Sequence, residues 1–214
     1  MTIDLGGLYT DARARIAGLV GAEGVDPDAP VPATPAWTVH DVIAHVSGVA
    51  ADATSGNMAG APGEEWTAAQ VARGAGKSIA ELLAEWDVAG PMIAGFLSSP
   101  AGAAAGAAVM DIHSHEADLR QALGLQPALP AAFLEWAGEQ MRTGFAEQCA
   151  AAGLPAVEVE ASDFEWFRGR LGRRTRDEVA AYGWSADPTG YLDEFFIFGR
   201  AAASLGEAPL GDAA

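Results

Sequence analysis

Long alanine-rich stretches, opened by capping residues or proline and closed by glycine, constrain this chain more than any other feature. Alanine has the highest helix propensity, and its small side chain lets helices approach closely. A first helix is predicted from about Leu8 to Val20, with Ala12, Ile16, Leu19 and Val20 near one face and Gly21 and Gly24 at its end. After the proline-rich connector Val25–Pro32, Thr38-Val39-His40-Asp41 places an acid three residues after a capping Thr and opens a second helix that runs toward Ala53. Residues 56–63 read as a flexible loop. Ser78-Ile79-Ala80-Glu81 opens a third helix, which Pro91 is expected to end or kink. A fourth covers about Ala103 to Leu123 and stops at Gly124, and a fifth covers Pro130 to Ala152 and stops at Gly153. Such helices with short connections predict an all-α fold, an up-and-down four-helix bundle over residues 1–153.

Residues 154–214 differ in character. Val157-Glu158-Val159-Glu160 alternates like a short strand, Phe164–Arg168 reads as a helical turn before Gly169, and Thr175-Arg-Asp-Glu178 is another capping box. Tyr191, Leu192, Phe195, Phe196 and Phe198 follow Asp187-Pro188. That aromatic density needs a surface to cover, so this small, mainly helical region is expected to pack on the bundle.

The charge balance narrows the partners. With 29 acidic against 12 basic residues the net charge is −17, which disfavours nucleic acid and anionic membrane surfaces, because both are bound through Lys and Arg. The stretch Pro91–Met110 is mostly Ala and Gly and is broken by Ser98-Ser99-Pro100, so it does not read as a membrane span. Met1-Thr2-Ile3-Asp4-Leu5 lacks the basic and apolar regions of a secretion signal, and the cytoplasm is the expected compartment. The single cysteine, Cys149, excludes an intrachain disulfide, and its alanine-rich context predicts a passive buried thiol.

Chemistry has few carriers here. The histidines are His40, His45, His113 and His115. His45 sits in an apolar helical stretch and should point partly inward. Asp111 and His115 are four apart on a predicted helix, stacked on one face with Cβ atoms about 5–6 Å apart, the arrangement by which one helix supplies two ligands to one ion. Asp118 lies three residues on and could orient a ligand imidazole. Spacing alone leaves a solvated Asp/His helix face and a hydrogen-bonded core histidine as open alternatives. His113 falls on another face, and His40, in a first helical turn, is expected to be exposed.

The stretch Pro35-Ala-Trp37-Thr38-Val39-His40-Asp41-Val42-Ile43-Ala44-His45-Val46 resembles the second-helix motif of the DinB-like superfamily, in its mycothiol-dependent maleylpyruvate isomerase branch. Asp111-Ile-His-Ser-His115-Glu-Ala-Asp118-Leu119-Arg120 resembles that branch's second metal motif, and Gly172–Glu178 with Trp184, Asp187 and Pro188 its carboxy-terminal region. The resemblance implies metal ligation by His45, Asp111 and His115, with an open position for water or a thiol. Two imidazoles and a carboxylate suit a divalent cation, zinc first, while iron, nickel and manganese accept the same donors.

By that resemblance the expected function is a metal-dependent enzyme using mycothiol or a similar small thiol in thiol transfer or isomerisation of an electrophilic small molecule. It would act as a monomer or homodimer, with His113 and Asp118 the candidates for acid or base. Two features depart from the pattern: the helix acid is Asp where the isomerases use Glu, and the carboxy-terminal region is short. Two other readings stand beside this one. A metal-activated water could perform hydrolysis with Glu116 or Asp118 as base. Alternatively, the chain is a non-enzymatic metal- or ligand-binding stress protein whose metal is structural or absent, and a structural site would add a fourth protein ligand such as His113 or Cys149.

Overall fold

The computed structural model describes residues 3–207. Met1 and Thr2, on which part of the leader reading rests, and residues 208–214 of the expected carboxy-terminal region lie outside the described residues. Helix dominates, with one small sheet among the described residues, and the all-α expectation holds. Contacts divide the chain into two compact units, the first ending at Leu125 and the second beginning at Gln126. The sequence reading places that division at 153.

The first unit contains α1 (Leu5–Val20), α2 (Val39–Ser55), α3 (Glu64–Gly74), α4 (Ile79–Leu97) and α5 (Ala107–Ala122). Packing of α1 with α4, α4 with α2, α2 with α5 and α5 with α1 closes a four-helix ring, and α3 lies against α2 outside that circuit. The consecutive helices α1 and α2 therefore occupy opposite corners. Local chemistry sets the helix starts. Asp4 caps α1, while Thr38 with Asp41 and Ser78 with Glu81 form complete capping boxes on α2 and α4. Gly56 and Gly124, both with positive φ, follow the ends of α2 and α5, a backbone conformation glycine adopts without strain.

Two expectations change here. Helix α4 continues through Pro91 to Leu97. Pro91 lies on the exposed side, so the carbonyl one turn back, which loses its amide partner, can be met by water. Helix α3 lies in a segment the sequence reading left without a helix, between its loop at 56–63 and the Ser78 capping box. It is a polar helix, with Glu64 and Glu65 in its first turn and Arg73 in its last, each at the end its charge favours. It packs so tightly on α2 that a Cβ on Gly74 would lie 2.4 Å from the Ala44 Cβ.

The second unit is built on α6 (Ala131–Ala151), with α7 (Asp163–Arg170), α8 (Arg176–Ala180) and α9 (Leu192–Phe195). Two-residue strands β1 (Val159–Glu160) and β2 (Gly183–Trp184) pair antiparallel, with Val159 opposite Trp184. The aromatic residues of the tail do find a surface: Phe195 is fully buried against Phe145 of α6 and Trp166 of α7. Phe198, expected to need cover as well, is 56 % exposed. Arg168 and Arg174 are buried on Glu207, and Arg174 also pairs with Glu165. Among the described residues no helix is long and apolar enough to cross a membrane.

Candidate metal centre

Helix α5 is unusual in what it buries. His113, Ser114, His115, Glu116 and Asp118 are all at most 5 % exposed, although polar groups carried out of water cost free energy unless partnered. Their partners sort them by role. Glu116 accepts two hydrogen bonds from the Arg15 guanidinium, at 2.8 and 2.7 Å, and lies 3.3 Å from Arg120 Nε, which ties α5 to α1. The His113 Nδ1 bonds the Val109 carbonyl at 2.8 Å, and burial pushes the ring down to a pKa of about 4. It is therefore a neutral core histidine. Neither group is among the donors that converge with His115.

A donor cluster forms where His45 from α2 meets Asp111 and His115 from α5. One donor atom from each lies within 4.8 Å of the others. Asp111 Oδ1 stands 3.6 Å from His45 Nε2 and 3.5 Å from His115 Nε2. Donors around a tetrahedral ion with bonds of 2.0–2.1 Å stand about 3.4 Å apart, so these separations match a shared cation. The two imidazoles meet edge to face, with ring centroids 5.0 Å apart.

Each imidazole is also held from behind. His45 Nδ1 lies 2.8 Å from Gln70 Oε1, an acceptor, an arrangement that suits the Nδ1–H tautomer, in which the Nε2 lone pair is left for the centre. His115 Nδ1 lies 3.2 Å from Asp118 Oδ2, at ion-pair distance but without hydrogen-bond alignment. Ligand imidazoles in metal sites are oriented in this way, by a carboxylate or another acceptor on the second nitrogen. The residues present therefore fit a divalent cation.

The electrostatics agree. Burial pushes the His115 ring toward its neutral form, but Asp111 and Asp118 outweigh it and raise its pKa to about 9. Burial would raise the Asp111 carboxyl, yet His45 and then His115 hold it well below the usual carboxylate range. The pocket thus favours one positive charge between two imidazoles and a carboxylate, a charge that either a proton or a metal ion would supply. The histidines are 5 % exposed and the Asp111 side chain 36 %, so the centre opens to solvent on the Asp111 side.

Three neighbours escape the sequence reading as site residues. Trp37, half-buried, covers both imidazoles with ring centroids 5.1 Å from His45 and 5.9 Å from His115. Gln70 comes from the unpredicted α3. Tyr9, buried and hydrogen-bonded by Trp86 at 2.9 Å, has its pKa raised to about 12, by burial first and by the Asp111 charge among the lesser causes. No local motif marks Gln70 or Tyr9, because their relation to the centre is set by helix packing. His40, expected to be exposed, is half-buried with Nε2 2.7 Å from the Lys77 carbonyl. A groove of about 620 Å³ on the same unit, lined by Arg15, Leu19, Arg120 and Leu123 among others, includes none of the three donors.

No curated protein and no solved structure matches the chain. A family model does match, over residues 9–105, a stretch that includes His45 and Gln70 and ends before Asp111. Over those residues, most of its first unit, the chain matches the model of the mycothiol maleylpyruvate isomerase N-terminal domain, a DinB-like family.

Proposed function

We propose that His45, Asp111 and His115 hold one divalent cation, with zinc best suited to the donor set, and that the protein is an enzyme using mycothiol or a similar small thiol on an electrophilic small molecule. The reaction is thiol transfer or isomerisation. The observation that carries this reading is the convergence of three buried or half-buried donors within 4.8 Å, both imidazoles 3.5–3.6 Å from Asp111, with an amide oxygen or a carboxylate behind the second nitrogen of each. The family match supports the thiol. A cation bound there supplies a Lewis acid that keeps a coordinating thiol deprotonated.

The chain's own residues do the rest. Gln70 and Asp118 hold the imidazoles in register, Asp111 contributes the one anionic donor on the open side, and Trp37 shields the rings from water. Three protein donors leave a tetrahedral position for a small molecule. The hydrolytic alternative needs a carboxylate beside the metal but outside its shell. Glu116 is committed to Arg15 and Arg120, and Asp118 lies behind His115, so neither stands where it could activate water.

The test is titration of zinc-loaded protein with mycothiol. Saturable binding that disappears in His115→Ala is expected. Asp118→Asn should keep the metal, bind it about 10–100-fold less tightly and lose part of the thiol affinity. Zinc-loaded protein that ignores mycothiol but hydrolyses an ester or amide would replace this reading with the hydrolase. Inertness in both assays would favour a non-enzymatic binding role.

A further inference from the structure

The two imidazoles of the centre are held differently. His115 has a carboxylate directly behind it, Asp118. His45 has a neutral amide, and an amide can present either its oxygen or its NH₂ group to a histidine. Which end it presents decides the tautomer. With Oε1 toward the ring, Nδ1 must carry the proton and Nε2 is a donor to the centre. With Nε2 of the amide toward the ring, Nδ1 must accept, the ring's proton moves to Nε2, and the histidine is useless as a ligand. Some other group has to choose.

The fold supplies one. Asp52, also on α2 and 4 % exposed, lies on the far side of the Gln70 amide, and Gln70 Nε2 donates to Asp52 Oδ2 at 2.9 Å. A carboxylate accepts only, so it fixes the NH₂ end of the amide on itself and turns Oε1 toward His45. Asp52 is in turn held as a carboxylate. Burial would raise its pKa, but hydrogen bonds from Asn57, Gln70 and Arg73 lower it below its ordinary value. Asn57 Nδ2 donates to it at 2.9 Å and Arg73 at 2.8 Å. Gln70 itself is 1 % exposed, so water does not compete for its ends.

We propose that Asp52 is a positioning residue of this centre: through the Gln70 amide it fixes His45 in its Nδ1–H tautomer and so presents Nε2 to Asp111 and His115. The chain of donors runs one way, from His45 Nδ1–H to Gln70 Oε1 and from Gln70 Nε2–H to Asp52. The importance of the Nε2 lone pair rests on the metal reading above, whereas the tautomer can be measured without metal.

The experiment is nitrogen-detected NMR of the histidine rings in metal-free protein, at a pH where His45 is neutral, paired with zinc affinity by chelator competition. The wild type is expected to show His45 as Nδ1–H. Asp52→Asn frees the amide to turn and Gln70→Leu removes the acceptor, so both should move His45 toward Nε2–H and weaken zinc about 10–100-fold. The double variant Asp52→Asn with Gln70→Glu restores a one-way chain. The amide introduced at position 52 then donates to the carboxylate introduced at position 70, and that carboxylate accepts from His45. Recovery of the Nδ1–H signal and of zinc affinity in the double variant separates positioning from a general loss of packing. A wild-type His45 in the Nε2–H form overturns the proposal even if every variant misfolds, as do single variants with unchanged tautomer. A wild type with the expected tautomer but no zinc affinity keeps the relay and removes the metal reading instead.

Discussion

Gly48 lies on the α2 face that α3 covers, and its replacement by alanine sets two known effects against each other. Alanine in a helix interior is favoured over glycine by about 0.8–1 kcal/mol, so propensity predicts a gain. A Cβ built on Gly48, however, would stand 2.7 Å from Gln70 Cβ and 2.9 Å from Gln70 Cγ. Those atoms are the root of a buried side chain, and they cannot swing aside without moving α3. Overpacking of this kind costs about 1–3 kcal/mol. The balance for Gly48→Ala is therefore a loss of about 0–2 kcal/mol, together with displacement of Gln70 from His45.

Gly18 on α1 is the control, since it is exposed and a Cβ there meets nothing within 4 Å. Gly18→Ala should stabilise by about 0.5–1 kcal/mol through propensity alone. The same substitution thus carries opposite signs at two positions. Thermal unfolding resolves this at roughly 3–6 °C per kcal/mol for a unit of this size. Zinc affinity should fall in Gly48→Ala and stay constant in Gly18→Ala. If Gly48→Ala raises the melting temperature as Gly18→Ala does, with zinc affinity intact, α3 does not approach α2 closely and the account of how His45 is held fails.

Three further outcomes are expected. Elemental analysis of purified protein should give about one divalent ion per chain, and unchanged metal content in both His45→Ala and His115→Ala would remove the site. Phe195→Ala empties a fully buried position ringed by Phe145, Trp166, Tyr182 and Trp184 and should destabilise the second unit by about 3–5 kcal/mol; an unchanged denaturation midpoint would show that the tail does not complete that core. Glu165 is held below its ordinary value of 4.5, burial being outweighed by Arg174 and Tyr182. Its contribution is present above about pH 4.5 and is lost as pH falls through the folded value. Acid unfolding should therefore be shallower in Glu165→Gln, and an identical pH profile would contradict the assignment.

The starts of α2, α4 and α8 were legible in the sequence because capping is local. Thr38, Ser78 and Thr175 each hydrogen-bond an amide three residues on, and the reciprocal acid lies within the same four residues, so the pattern survives without knowledge of the fold. The helical stacking of Asp111 and His115 was legible for the same reason. Pro91 shows the limit of local rules: proline marks a lost hydrogen bond, but whether a helix breaks there depends on which side faces water.

The division of the chain was decided by packing. Helix α6 has the length and apolar content of a bundle helix, yet its partners are α7 and α9, which follow it in sequence. The polar face of Glu64–Gly74 hid a helix whose stability comes from close contact with α2, a contribution no propensity records. Sequence alone thus set the capped starts of α2, α4 and α8 and the pairing of Asp111 with His115, since those depend on residues within one or two turns. Only the tertiary structure brought His45 to that pair, set Gln70 and Asp52 behind it, and turned Glu116 and His113 away. Each of those placements depends on how helices separated along the chain lie against one another, and a buried polar group keeps its place only where such a partner waits for it.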